Sequence, residues 1–145
     1  HQLQYLRSQG TNPDALVKIV DELPGKAEQE ASKQATEDAL NAHPNLGAVF
    51  AINDPSAIGA VVAIENAKKQ SSIKVVGFDG QMIGKEYIRD GRIFADPIQF
   101  PKVIGKKTVE QIVAYFNGDV PESEILIDTA LYYQKDAQAD PDLKK

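Results

Sequence analysis

The sequence predicts an α/β fold in three layers, with a mainly parallel sheet covered by helices on both faces. Short apolar runs of strand length alternate along the chain with segments that have helical periodicity. Most of these helical segments are roughly a dozen residues or longer, the length that a crossover between parallel strands requires. The 145 residues, 42% hydrophobic and 26% charged, can form one domain with a substantial core.

Apolar, often β-branched runs mark the predicted strands, which lie at residues 15–20, 46–52, 73–78, 92–98 and 123–133. Between them, helices are predicted at residues 26–42, 56–69, 82–89 and 101–118. The last of these helices has one apolar stripe, formed by Val109, Ile112, Val113 and Phe116. After the final strand, the polar tail is predicted to be solvated and frayed.

The start of the chain resembles the second half of a helix. Leu3 and Leu6 are three residues apart, and Gly10 is a suitable terminator. A native chain begins with Met and rarely begins within a helix. We therefore expect the sequence to be a fragment whose upstream elements, including any signal peptide, are missing.

Composition and spacing exclude several classes of function. The net charge is −5 and no basic run exists, which argues against nonspecific binding to nucleic acid or anionic lipid. The chain has no cysteine, and His1 and His43 have no zinc-pair spacing. No apolar run approaches the roughly 20 residues that span a bilayer. We predict no catalytic residue, no metal and no cofactor.

The predicted sheet indicates where a ligand would bind. In open α/β sheets, ligands bind outside the carboxyl ends of the strands. The residues at these positions are all polar and can accept hydrogen bonds: Asp21, Glu22, Asn53, Asp54, Asp79, Asp96 and Gln99. Asn53 and Gln99 can also donate. Such a row suits an uncharged ligand with many hydroxyl groups.

Each candidate also has a purely structural interpretation. Asp54 precedes Pro55 and is the natural N-cap of the next helix. Asn53 then stands at the strand tip, either as a ligand contact or in a local turn bond. Asp79 before Gly80 is typical of plain turns, and a buried Gln99 would need several hydrogen-bond partners.

The segment LPGKAEQEAS has Pro-Gly-Lys at a helix start, as a phosphate-binding loop does. It lacks the first glycine of that motif and has Ala27 where Ser or Thr would bind magnesium. An ordinary helix entry is the better interpretation.

Three segments together resemble one protein family. AHPNLGAVFAINDPSAIGAVVAIENA, IKVVGFDG and FADPIQFPKVIGKKTVEQI are similar to the ribose-binding protein group of bacterial periplasmic sugar-binding proteins. The resemblance covers residues 16–133 and extends to the effector-binding core of lactose-repressor-type regulators. In this family, two similar α/β lobes close on a sugar and present it to an ATP-driven importer.

The resemblance implies site residues position by position. The Asn of the family's "ND" turn corresponds to Asn53, the Asp of "GFD" to Asp79, and the Gln before the lobe-crossing proline to Gln99. In the family these side chains hydrogen-bond sugar hydroxyls. The family's ribose binders carry an aromatic residue where this chain has Ala27, so Lys26 is a further candidate contact. Asp54, next to Asn53, is another candidate contact.

The resemblance also implies a domain organisation. Residues 1–99 form a C-terminal sugar-binding lobe that is incomplete at its start, and residues 121–135 return to it as the final strand. Residues 100–120 form a helix that belongs to, or packs on, a missing N-terminal lobe, and residues 136–145 are the tail. Without that lobe, the apolar stripe is expected to pack on a neighbouring chain or to fold onto its own lobe, because water is unfavourable for it.

Two functions remain open. The first is the periplasmic solute-binding component of an ATP-driven sugar importer, which binds a monosaccharide by hinge closure and contacts a membrane permease but no nucleic acid. The second is the effector-binding domain of a lactose-repressor-type regulator, in which closure would alter DNA affinity. An enzymatic α/β fold acting on nucleotides or phosphates is disfavoured, since the chain lacks a glycine-rich phosphate loop.

Overall fold

The computed structural model describes residues 17–144 of the protein. Its strands are β1 (Ala48–Phe50), β2 (Lys74–Val76), β3 (Ala95–Ile98) and β4 (Ala130–Tyr133). The helices are α1 (Gln29–Ala42), α2 (Asp54–Asn66), α3 (Met82–Arg89), α4 (Pro101–Phe116) and α5 (Gln134–Ala139), followed by a 3-10 turn at Pro141–Leu143.

The four-stranded sheet has the order β1-β2-β3-β4. β1, β2 and β3 are parallel, and β4 pairs antiparallel with β3 along its whole length. The predicted α/β fold with a mainly parallel sheet is thus confirmed. Because β1, β2 and β3 run in the same direction, their carboxyl ends meet at one edge of the sheet.

The hydrophobic core is centred on α2, whose apolar residues continue around most of the helix. Gly59 brings α1 close to α2, since a Cβ at this position would lie 2.9 Å from the backbone nitrogen of Lys33 and would also meet the carbonyl of Gln29. The large core residues come from α1, α2, β2, α3, β4, the segments between them and the final 3-10 turn: Leu40, Val61, Ile64, Ile73, Val75, Ile88, Ile93, Tyr132 and Leu143. The core therefore joins α2 to the strands and to α3.

The strand predicted at residues 15–20 is not formed over residues 17–20, which have no regular structure. Val17 and Ile19 are 70% and 62% exposed. β-Branched composition favours an extended chain, but a strand also needs a hydrogen-bonding neighbour, and composition does not supply one. Residues 15 and 16, and the helix predicted over residues 1–10, lie outside the described residues.

The last strand is shorter than predicted. It was expected over residues 123–133, but the ladder covers only Ala130–Tyr133. Its partner β3 is itself four residues long, so residues 123–129 have no strand of β3 to pair with. The length of a strand is set by its neighbour as well as by its own apolar residues.

The C-terminal tail is packed on the lobe, and the prediction that it frays is wrong over its described part. Ala137 and Leu143 are buried. The Lys85 ammonium contacts Asp140 Oδ2 at 3.1 Å, and the Tyr132 hydroxyl donates to the same oxygen at 2.7 Å. These hydrogen bonds, that of Tyr132 first, lower the pKa of Asp140 to about 2. The tail is anchored through these contacts with α3 and β4.

Helix α4 has no buried residue. Its stripe is in solvent, with Val109 59% and Phe116 81% exposed. The expectation that the stripe folds onto its own lobe is therefore wrong for the described chain. No helix within residues 17–144 is long and apolar enough to cross a membrane.

Candidate functional site

Asp79 and Gln99 meet at the carboxyl edge of the sheet. Gln99 Nε2 donates to Asp79 Oδ1 at 2.6 Å. The backbones are also joined, because Asp79 N–H donates to Pro97 O at 3.2 Å and Gln99 N–H donates to Asp79 O at 3.0 Å. These bonds extend the parallel alignment of β2 and β3 beyond the strand ends. Two of the three main sequence-predicted candidates are therefore in direct contact.

The backbone of Asp79 is strained. Its φ is +108°, in the region that favours glycine, and the next residue, Gly80, has φ +81°. Such a conformation costs a residue with a side chain on the order of 1–3 kcal/mol and persists only when the surroundings hold it. Here the hydrogen bonds with Pro97 and Gln99 hold both sides of the residue. The structure thus fixes the direction of the Asp79 carboxylate.

Asn53 is the N-cap of α2, a role that the sequence predicted for Asp54. Its Oδ1 accepts from Ser56 N–H at 3.0 Å, and its extended φ and ψ, −159° and 170°, are those of a cap residue. Nδ2 donates to Ala27 O at 3.1 Å. The amide has a second N–H and a second lone pair beyond these bonds, and they are available to a ligand. Capping and ligand binding are therefore compatible at Asn53.

Lys26 lies in the exposed turn that precedes α1. Its φ is +53° and that of Ala27 is +58°. The carbonyl of Ala27 accepts the hydrogen bond from Asn53, so Lys26 is one residue away from a direct contact of the candidate site. The turn therefore lies beside the strand tip after β1.

Asp54 is not at the surface. It is the first residue of α2, has no exposed area, and its Oδ2 accepts from Gln81 N–H at 2.6 Å. A solute at the edge of the sheet cannot contact a carboxyl with no exposed area. We therefore correct the assignment of Asp54 from a candidate ligand contact to a buried support of the loop after β2.

Asp96 is a second buried carboxyl, a residue that the sequence predicted at a strand end and that is not among the site candidates. It lies within β3, has no exposed area, and its Oδ2 accepts from Gly80 N–H at 2.9 Å. Burial, and then the charge of Asp54, raise the pKa of Asp96 to about 7. Burial also raises the pKa of Asp54. The sequence signal that could have indicated this buried carboxyl is an acidic residue inside the apolar run FADPI.

These features define a class of protein: an α/β lobe that presents polar side chains to a ligand at the carboxyl edge of its sheet. The chain belongs to the periplasmic binding protein domain family, whose model matches residues 4–119. The resemblance found in the sequence is thus confirmed at the level of the family.

Curated relatives support this assignment. The chain is 39% identical over 95 residues to the ribose import binding protein of Escherichia coli strain K12, a match that covers 66% of this chain and 32% of the relative. It is 37% identical over 111 residues to the D-ribose/D-allose-binding protein of Pseudomonas aeruginosa, which covers 74% and 34%, respectively. The chain thus spans about a third of the length of these relatives.

Solved structures agree. The periplasmic binding protein of the arabinose ABC transporter from Shewanella sp. ANA-3, bound to α- and β-L-arabinofuranose, matches with a TM-score of 0.80 and 26% identity over 95% of this chain and 46% of that chain. An ABC transporter periplasmic solute-binding protein from Actinobacillus succinogenes 130z with bound D-allose matches with a TM-score of 0.72 and 29% identity, covering 80% and 41%, respectively. Both are sugar-binding proteins.

Proposed function

We propose that the chain is a lobe of a non-catalytic solute-binding protein that binds a monosaccharide, with Asn53, Asp79 and Gln99 as the contacts on this lobe. The observation that carries the proposal is the hydrogen-bonded pair of Asp79 and Gln99 at the carboxyl edge of the sheet. Membership of the periplasmic binding protein domain family, and relatives named for binding ribose and allose, support the same ligand class.

The chemistry of the three side chains fits an uncharged polyol. A carboxylate accepts hydrogen bonds from two neighbouring hydroxyls, and an amide both donates and accepts. The hydrogen bond to Gln99 uses one lone pair on Oδ1 of Asp79 and leaves the other lone pairs of the carboxylate for hydroxyl donors. Bonds to a charged acceptor are the strongest of the set, so Asp79 is proposed as the main contact.

Binding by closure of two lobes is part of the proposal. The exposed stripe of α4 is the observation that supports a second lobe. Its residues Val109 and Phe116 are each more than half exposed. Burial of each such side chain is worth roughly 1.5–3 kcal/mol, which favours a partner over water. We propose that residues 1–99 and 121–135 act as the sugar-binding lobe, and that residues 100–120 pack on a second lobe or on a neighbouring chain.

The wider role that we propose is in the periplasm, as the component that delivers the sugar to the membrane permease of an ATP-driven importer. The relatives reported above are import or sugar-binding proteins by name, which supports import over the alternative of a repressor's effector domain. A closed pair of lobes offers the permease a surface that the open pair lacks.

Isothermal titration of the full-length protein against pentoses and hexoses tests the ligand class. The variants Asn53→Ala, Asp79→Ala and Gln99→Ala are each expected to weaken binding by roughly 10- to 100-fold, since each removes hydrogen bonds in a desolvated cleft. Asn45→Ala and Asp128→Ala, which change exposed residues of the same types, serve as controls. Unchanged affinity in all three site variants would show that the site is elsewhere.

The role of α4 has its own test. Sedimentation of the 145-residue chain alone is expected to show association through the stripe. Titration of the same chain with sugar is expected to show weak or no binding, because a second lobe would supply part of the enclosing surface. A strictly monomeric chain with the stripe in solvent would contradict the contact with a neighbouring chain and leave the second lobe as the proposed partner.

A further inference from the structure

Two buried carboxyls hold the loop that carries Asp79. Asp96 Oδ2 accepts from Gly80 N–H at 2.9 Å, and Asp54 Oδ2 accepts from Gln81 N–H at 2.6 Å. These two amides belong to the residues directly after Asp79, so each carboxyl fixes one peptide group of the loop. Both carboxyls have no exposed area. The strained backbone of Asp79 is thus held from behind as well as by Pro97 and Gln99.

The second oxygens of the two carboxyls converge on one small space. Asp54 Oδ1 and Asp96 Oδ1 each have no hydrogen-bond partner in the described chain. A Cβ on Gly77 would lie 3.3 Å from both oxygens, so both border the same point. Two ionised carboxylates in such a place would repel each other without any compensating donor. A proton on one of them creates an O–H that the other can accept.

We propose that Asp54 and Asp96 share one proton and act as positioning residues, which hold Asp79 in the geometry that contacts the solute. Loss of the shared proton leaves two adjacent negative charges, and their separation releases the amides of Gly80 and Gln81. Asp79 then loses part of the framework that maintains its positive φ. This inference rests on the proposed function, because it takes Asp79 as a solute contact.

Charged groups on the neighbouring elements surround the pair. From the loop, the charge of Asp79 raises the pKa of both Asp54 and Asp96. On α3, the Lys85 ammonium contacts Asp140 at 3.1 Å, and the hydroxyl of Tyr132, the β4 residue in register with Asp96, donates to the same oxygen.

On α1, Lys33, whose backbone nitrogen lies beside Gly59, has its ammonium on Glu30 and Glu37, at 3.4 and 3.9 Å. The ammonium groups of Lys85 and Lys33 are therefore paired with other carboxylates. A shared proton, and neither of these two cations, reduces the negative charge of Asp54 and Asp96.

The direction of the pH effect follows from the raised pKa values. Burial, and then the charge of Asp54, raise the pKa of Asp96 from 3.8 to about 7. A carboxyl whose pKa is raised by folding contributes stability that is fully present below its ordinary pKa and is lost as the pH rises through the folded value. Loop order and solute affinity are therefore expected to decline from mildly acidic to mildly alkaline pH, with the pair titrating as a unit.

A bound cation is the rival explanation for two converging carboxylates. Calcium takes six to eight oxygen ligands. Within residues 17–144, no group of three or more acidic, histidine or cysteine side chains is arranged to hold a metal ion. The donor set thus fits a shared proton better than a cation.

The test compares pH profiles in full-length protein, with D-ribose and D-allose as the first probes and the tightest-binding sugar of the panel thereafter. Asp96→Asn keeps an oxygen for Gly80 N–H and offers an N–H to Asp54 without titrating, and Asp54→Asn is its reciprocal. Asp96→Leu removes the loop bond. Asp128→Asn, an exposed carboxylate on the stretch before β4, is the matched control.

The wild-type dissociation constant is expected to rise about tenfold between about pH 5 and about pH 9, which is 1.4 kcal/mol. Asp96→Asn should keep the affinity of the acidic wild type throughout, Asp96→Leu should bind weakly at every pH, and Asp128→Asn should follow the wild type. In ligand-free protein, amide exchange at Gly80 and Gln81 should accelerate with deprotonation beyond the intrinsic base-catalysed rate. Infrared spectra near neutral pH should show a protonated carboxyl that Asp96→Asn removes.

A flat wild-type profile, a parallel profile in Asp96→Asn, or no protonated carboxyl in the wild-type infrared spectrum would overturn the shared proton. Binding that requires added calcium or magnesium and is abolished by a chelator would assign the pair to a cation instead. If no sugar binds at any pH, the proposed function fails, and the infrared and exchange measurements on ligand-free protein still decide whether the proton holds the loop.

Discussion

The positive φ of Asp79 leads to a prediction about two variants that should differ in stability although both lose sugar binding. The two variants to compare are Asp79→Gly and Asp79→Ala in the same protein. Both variants remove the carboxylate and its hydrogen bond to Gln99, so that loss cancels in the comparison. Only alanine retains a Cβ at a backbone with φ +108°. The difference in stability between the two variants therefore reports the strain at this residue, reduced by the cost of glycine's greater flexibility in the unfolded chain.

The magnitude follows from two opposing terms. Alanine retains a strain on the order of 1–3 kcal/mol. Glycine relieves it but makes the unfolded chain more flexible, which costs roughly 0.5–1 kcal/mol. We expect Asp79→Gly to be more stable than Asp79→Ala by about 0.5–2 kcal/mol. Both variants should lose sugar affinity, since neither has the carboxylate that is proposed to accept from the sugar.

Urea unfolding followed by circular dichroism gives the free energy of unfolding of each variant. Equal slopes of this free energy against urea concentration check that the same structure unfolds in both variants. For a protein of this size, a difference of 1 kcal/mol also moves the melting temperature by roughly 3–5 °C. A glycine variant equal to or less stable than the alanine variant would refute the argument that Asp79 is strained and held in place for binding.

Further predictions concern the packing and capping that support the site. Gly59→Ala should destabilise the fold by about 1–3 kcal/mol in urea unfolding because its Cβ meets the α1 backbone, whereas Gly47→Ala, with nothing within 4 Å, should be neutral to within about 0.5 kcal/mol. Asn53→Ala should cost about 1 kcal/mol more than Asn53→Asp, which keeps the capping oxygen; equal costs would argue against the cap. Arg92→Ala breaks two 2.8 Å bonds to Glu65, and the partly exposed pair is worth at most about 1 kcal/mol. Arg92 lowers the pKa of Glu65, so this stability is present above pH 4.5 and is lost as the pH falls; an Arg92→Ala effect that is the same in acid as at neutral pH would exclude the ion pair.

The alternation of strands and helices was predictable because it depends on local composition and periodicity. β1, α2, β2, α3 and α4 all lie where apolar runs or helical stripes predicted them. The residues after the strands were predictable for the same reason, since parallel strands bring their carboxyl ends together. Thus Asp79 and Gln99 could be selected from their positions before their contact was known, although their role as sugar contacts stays a prediction.

Elements that depend on distant partners were not predictable in this way. Residues 17–20 have the composition of a strand but no ladder, and β4 is limited to the four residues that β3 can pair. The tail looks polar in sequence, yet Leu143 is buried and Asp140 contacts Lys85 across 55 residues of chain. Such contacts join residues that are far apart in sequence, so local composition contains no record of them.

The sequence by itself determined the fold class, the family and the polar character of the sheet edge, because periodicity and strand-end residues are local properties. Only the tertiary structure decided how those residues divide their roles. The cap belongs to Asn53, and Asp54 is buried beside Asp96 behind the loop of Asp79. The pairing of these two carboxyls arises where a helix start, a strand and a loop meet, and burial then makes the shared space favour a proton over two charges.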